Sequence, residues 1–289
     1  MRAFVGTAAW NIPKAALDFF PLEGSHLERY ARILPAVEIN TTFYHDHEPK
    51  TFVRWAESVP ATFRFSVKLS RFFSHDTALD LSSRTSAERF RATLDAYSGL
   101  GEKLGALLVQ MPPSARFDAA RLDAFFAALR RLYSGDVACE PRHRSWVSAE
   151  ARAVFAAHAI TNVDADHEPF RVREDEPFPQ TGCSYLRLHG SPEMYVSDYP
   201  RNVVARYAAE VERRTRLGLR SWCVFDNTTF GHATCNAVDL LRLLNQGDLG
   251  ADAPKRAGAS AHDSEEVSHP RLPPNEAESG ALPTDRGIP

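Results

Sequence analysis

The feature that most narrows what this chain can become is a regular alternation. From the first residues to about residue 246, short runs rich in β-branched and aromatic residues are followed by longer Ala-, Leu- and Arg-rich runs whose apolar positions recur at helical spacing. The strand candidates are Phe4–Gly6, Ala36–Ile39, Phe63–Val67, Ala106–Val109, Val137–Cys139, Ile160–Val163, Tyr185–Leu188 and Trp222–Phe225. Between them lie helix candidates at Leu27–Leu34, Thr51–Ser58, Ser86–Tyr97, Ala119–Leu132, Ser148–His158, Arg201–Arg214 and Ala233–Leu244, with Asp118 and Ser148 placed as N-caps. Strands that alternate with helices pair in parallel, because each crossover returns the chain to the same end of the sheet. Eight such units in roughly 245 residues match the size of a TIM (β/α)8 barrel. A doubly wound open sheet is the competing arrangement.

Composition agrees with one substantial core. The chain has 289 residues and 44% hydrophobic content, which excludes a wholly disordered protein and a small disulfide scaffold. Its 34 basic and 37 acidic residues give a formal net charge of −3, so no large basic field marks it for nucleic acid or an acidic membrane surface, although a local basic groove stays open. No long uncharged apolar run occurs and the N-terminal residues enter a strand, so the expectation is a soluble, cytoplasmic protein without a membrane partner. The four cysteines form no CxxC pair and read as buried reduced thiols. From residue 247 the pattern stops. Residues 247–289 are Pro-, Ala- and Ser-rich, with eight acids and four bases, and read as a disordered acidic tail. Removing that tail leaves a single folded domain, residues 1–246, near +1.

The strand candidates end in polar chemistry: Thr7 and Trp10, Glu38 and Asn40, Lys68, Gln110, Glu140 with Arg142, Asp164 with Asp166, Arg187 with His189, and Asp226 with Asn227. Turns favour Asp and Asn but have no preference for Glu, Lys, Gln, Arg or His. In a barrel these ends share one mouth, so the series points to a common site. Alternation places Glu38 and Asn40 on one face with Val37 and Ile39 on the other, which buries a carboxylate that needs either a partner or a raised pKa. Its structural alternative is an ion pair with a barrel cation. Lys68 ends a strand in a chain with only five lysines, and it can hold an anion, pair with Glu38 or serve as a nucleophilic amine. In Glu140-Pro141-Arg142-His143-Arg144-Ser145-Trp146, Arg142 offers a fork for an anion, His143 can titrate, and Trp146 can stack. The alternative is a Glu–Arg bridge holding the loop with Trp146 packed beneath it. Arg187 and His189 share a face, and a buried Arg187 needs an anion, whether Glu38, Glu140 or a ligand.

Histidines next to acids occur at His45-Asp46-His47 and His75-Asp76, but none has a ligand spacing such as HExxH, so no metal ligand is assigned. No nucleotide-binding signature is present, and no cofactor is named.

Taken together, Gly6-Thr7 with Trp10, Val37–Tyr44, Phe65–Lys68, Gln110–Pro113, Glu140–Trp146, Arg187–Gly190 and Phe225–Asn227 through Asn236-Ala237 resemble the YecE-like family, domain of unknown function 72. Ala8-Ala9, Asn11 and Ile12 depart from its usual first loop. The resemblance implies a TIM barrel and family motif positions at Glu38, Asn40, Lys68, Gln110, Glu140, Arg142, His143, Arg187, His189 and Asn227. It brings no assigned reaction. The expected activity is acid/base chemistry, hydrolysis or isomerisation, on a small anionic, phosphorylated or polyhydroxylated substrate. Glu38, Glu140, Lys68 and His189 would be the catalytic residues, and Trp10, Asn40, Tyr44, Gln110, Arg142, His143, Trp146, Arg187 and Asn227 would bind substrate. The alternatives are a phosphodiester-binding protein, with Trp10, Tyr44 and Trp146 as stacking surfaces, and a non-catalytic ligand binder.

Overall fold

Side-chain alternation sorts each strand into an outer and an inner row, and the two rows form separate clusters. In the computed structural model, which describes residues 3–166 and 181–245, the strands are β1 Phe4–Thr7, β2 Ala36–Ile39, β3 Arg64–Lys68, β4 Leu104–Gln110, β5 Asp136–Glu140, β6 Ile160–Ala165, β7 Cys183–Leu188 and β8 Arg220–Phe225. The outer row, including Val5, Val37, Ile39, Phe65, Val67, Leu107, Val109, Leu186, Leu188 and Phe225, packs into the larger apolar core with the helices. The inner row forms a second cluster of Ala8, Ala36, Ala106, Leu108, Ala138, Val163, Tyr185, Trp222 and Val224. Small alanines on several strands leave room for Tyr185 and Trp222, whose rings stack at 5.8 Å and fill the barrel axis. A Cβ on Gly105 would come within 2.6 Å of the Trp222 ring, so glycine there admits the indole.

Every pairing is parallel, and the order is β1-β8-β7-β6-β5-β4-β3-β2. A parallel bridge between Ala8 and Glu38 brings the two ends together, which makes the sheet a nearly closed barrel and not an open one. This seam is built from two residues. Gly6 lets β1 approach β2, since a Cβ there would lie 2.0 Å from the Ala36 carbonyl oxygen. The buried Tyr30 hydroxyl then bridges the strands, accepting from the Thr7 N–H at 2.9 Å and donating to the Ala36 carbonyl at 3.0 Å.

Seven α-helices are present among the described residues: α1 His26–Ala31, α2 Pro49–Glu57, α3 Arg84–Tyr97, α4 Ala119–Leu132, α5 Ala149–Ala157, α6 Arg201–Arg216 and α7 His232–Asn245. Their starts are chemically marked. Ser25 and Glu28 form a capping box on α1, and Asp118 and Ser148 accept the first free amides of α4 and α5. Cys139, Cys183 and Cys223 are buried free thiols, and Cys235 is partly exposed. No helix among the described residues is long and apolar enough to cross a membrane. The tail expected from residue 247 lies outside the described residues.

Candidate active site

Above the Tyr185–Trp222 plug, the inner row turns from apolar to charged. Arg187, on β7, is fully buried and serves three carboxylates at once. Its Nη2 and Nε hold Glu38 of β2 at 2.8 and 3.1 Å, its Nη1 reaches Glu140 of β5 at 3.1 Å, and its Nη2 lies 3.0 Å from Asp226 beyond β8. Burial alone would strip its proton, but Asp226, Glu38 and Glu140 hold the pKa well above the ordinary arginine value. Tyr185, one pleat below, donates to Glu38 at 2.9 Å and lies 2.8 Å from the Ser66 hydroxyl. Burial and the Glu38 charge push its phenol far up, so it stays a donor.

His189 sits between two carboxylates. Its Nδ1 is 3.0 Å from Asp226 and its Nε2 is 3.0 Å from Glu140, while Arg142 Nη2 approaches the same Nε2 at 3.2 Å. A charged imidazole donates to Glu140 and a neutral one accepts from Arg142, so both protonation states find a partner. Burial works against the proton, but the Glu140 charge and the bonds to Asp226 and Glu140 raise the pKa above its usual value. Glu140 also accepts from Arg142 Nε at 2.7 Å. Burial would raise its pKa, yet Arg187, His189 and Arg142 together hold it well below the carboxylate range. Asp226 is likewise lowered against its burial by Arg187 and His189. The loop after β7 is held from the side: Asp166 accepts the His189 N–H at 2.9 Å and the Tyr199 hydroxyl, which itself accepts the Gly190 N–H at 2.6 Å.

Lys68 is the exception in this network. It ends β3 on the inner row and is 7% exposed, yet its ammonium makes no hydrogen bond or ion pair with any described residue. Its contact is the face of Phe43, 4.1 Å from Nζ to the ring centroid. Burial and the Arg187 charge lower its pKa to about 8, outweighing the opposing pull of Glu38, Asp226 and Glu140. His75 packs edge-on against the same Phe43 ring at 5.0 Å, and burial together with the Lys68 charge lowers it to about 4.

A family model described as "Protein of unknown function DUF72" matches residues 4–259. The chain belongs to the DUF72 family. It is 32% identical to the UPF0759 protein YecE of Escherichia coli K12 over 129 residues, which is 45% of this chain and 44% of that protein. To the UPF0759 protein YunF of Bacillus subtilis 168 it is 25% identical over 150 residues, covering 50% of this chain and 52% of that one. These matches therefore span about half the length of the curated relatives. A crystal structure of a DUF72 family protein from Enterococcus faecalis V583 superposes with a TM-score of 0.70 at 21% identity, covering 89% of this chain and 100% of that one. One from Thermotoga maritima MSB8 gives 0.68 at 22% identity, covering 85% and 100%. Both share the barrel fold.

Within this DUF72 barrel, Glu38, Lys68, Gln110, Glu140, Arg142, Arg187 and His189 come together at the mouth, Gln110 lying 3.4 Å from Glu140. Asn40 sits at the end of β2 with a buried Oδ1 that has no hydrogen-bond partner among the described residues. The other expected ligand residues do different work. Trp146 is 1% exposed, packed on Phe117 and Phe155 with its N–H bonded to the Ala115 carbonyl, so it is no stacking surface. His143 turns its Nδ1 onto Ser145 and caps its own loop. Asn227 is buried and braces the last loop through Ser197 and Asn236. Trp10 packs edge-on against Trp55, and Tyr44 is 64% exposed with its ring on Phe43. Arg142 and Arg187, expected to grip a substrate anion, direct their donors at Glu38, Glu140 and Asp226.

Tyr185, Ser66 and Asp226 were legible as mouth residues, since counting back by two from Arg187 and Lys68, or forward by two from Val224, lands on them. Asp166 is one of the strand-end acids legible in the sequence, whereas His75 carries no such signal, because it lies in the helical turn that follows β3. Among the described residues no set of three His, Cys, Asp or Glu converges as a metal site.

Proposed function

We propose that the barrel mouth is the active site of a cytoplasmic enzyme performing acid/base chemistry on a small anionic, hydroxylated substrate. The observation that carries this reading is Lys68: a buried ammonium without a counter-ion among the described residues, beside a network in which the other charges are mutually paired. An unpaired buried charge costs folding energy, and such costs persist at sites where a ligand completes the pairing. His189 is the proton carrier, its state set by Asp226 and Glu140. Arg187 and Glu38 form the rigid floor. Lys68 takes the anionic or polarised oxygen of the substrate, and the buried Asn40 Oδ1 accepts from a hydroxyl. With Arg142 and Arg187 turned inward, the phosphodiester reading loses its backbone-gripping cations.

The test is proton NMR in deuterium oxide with a panel of sugar phosphates and hydroxy acids. Solvent deuterium incorporated into a panel member, or a new product, is expected with the wild-type chain and lost in His189→Gln and Lys68→Met. If no member of the panel exchanges, reacts or raises the melting temperature, the mouth is not an active site for this class.

A further inference from the structure

We infer that Lys68 is a covalent catalyst: its amine adds to the carbonyl carbon of a small anionic aldehyde or ketone to form an imine. This rests on the mouth being the active site and narrows its substrate class. An anion anchor alone is better served by arginine, whose planar fork binds carboxylate and phosphate at two points, and the chain uses arginine almost everywhere else. Of the other lysines in the described residues, Lys14 and Lys50 are exposed, and Lys103 donates to the Ala56 and Val59 carbonyls. Lys68 alone combines burial, an apolar seat on Phe43 and a nitrogen free of carboxylate contacts, with the Arg187 cation held nearby on the floor. Those are the conditions that lower the proton affinity of an amine, so that a neutral, nucleophilic fraction is present near neutral pH and grows above pH 8.

The proton transfers have a carrier at hand. His75 shares the Phe43 ring with Lys68, its Nδ1 is engaged with the Ser74 hydroxyl at 2.8 Å, and its Nε2 has no partner among the described residues. In the addition, the nitrogen lone pair forms the C–N bond while the carbonyl π pair moves to oxygen, and a proton passes from nitrogen to that oxygen. The resulting carbinolamine hydroxyl is protonated and leaves as one water as the nitrogen lone pair closes C=N. Water addition reverses the sequence and frees the lysine, so no oxidant or reductant is consumed.

The test incubates the full chain separately with glyceraldehyde 3-phosphate, dihydroxyacetone phosphate and pyruvate in the presence of cyanoborohydride, followed by intact and peptide mass spectrometry. The expected result is a single adduct with the mass of the probe less one oxygen, on the peptide that contains Lys68. Labelling should be slower by roughly tenfold or more in Lys68→Arg, which keeps the charge but has no nucleophilic amine. Melting shifts with glycerol 3-phosphate and lactate, which have no carbonyl to attack, separate the two levels of the reading. Adducts confined to Lys14 and Lys50, or equal in Lys68→Arg, overturn the imine. No adduct with any probe while glycerol 3-phosphate or lactate stabilises the protein overturns the imine and leaves the site. No adduct and no stabilisation overturns both.

Discussion

Lys68 ties stability to pH with the same sign as Glu140 and Asp226, but in the alkaline range. An ordinary lysine titrates near 10.5, whereas here burial and Arg187 bring the value to about 8 against the pull of Glu38, Asp226 and Glu140. Below pH 8 the folded chain therefore carries the full cost of a buried charge. Between 8 and 10.5 the unfolded state binds the proton and the folded state does not, so stability rises with pH. The shift corresponds to about 3 kcal/mol. Lys68→Met is accordingly expected to be more stable than wild type at pH 7 by up to about 3 kcal/mol, with the gap closing toward pH 10 in urea melts. A variant less stable than wild type at pH 7 would make the amine structural. The nearby imidazole, His75, is lowered to about 4 and stays neutral across this range, so it does not blur the reading.

At the scale of elements, strands and loops differ in how much they reveal. All eight strand candidates form strands, because a buried row on each face leaves a strong period, and the same period places Glu38, Lys68, Arg187 and His189 inward. Loop residues obey no period. Trp146 and His143 looked like ligand groups because they stand beside Glu140, yet the turn after β5 directs one into the apolar layer and the other onto its own backbone. Trp146→Ala should consequently cost about 3–5 kcal/mol in chemical denaturation. Any ligand-induced melting shift should persist, since the indole lies under the loop. The barrel seam makes a second expectation. Tyr30→Phe strands the Thr7 N–H and the Ala36 carbonyl in a dry gap, a loss of about 1–3 kcal/mol. Hydrogen exchange at β1 and β2 should accelerate more than at β4 or β5, and uniform acceleration would show that the hydroxyl is not what joins the strands.

Over the whole molecule, one guanidinium connects β2, β5, β7 and the end of β8, so the mouth is a structural hub as well as a candidate site. Sequence could foresee that a buried Arg187 needs an anion, but not that three carboxylates would supply it, because that depends on which strands face each other across the barrel. The consequence is a sign reversal. In the wild type, Glu140 and Asp226 have folded pKa values below their ordinary ones, so their contribution is present at neutral pH and is lost as pH falls below about 4. In Arg187→Met the burial that the guanidinium overrides acts with less opposition and drives both carboxyls upward. That variant should be about 3–5 kcal/mol less stable at pH 7, as expected when one partner of a buried ion cluster is removed. Its stability should rise, not fall, between pH 7 and pH 5, as the orphaned carboxyls take up protons that the unfolded chain does not hold. Denaturation midpoints of both proteins across that interval decide the matter: parallel curves would mean that the carboxylates are neutralised by groups other than Arg187.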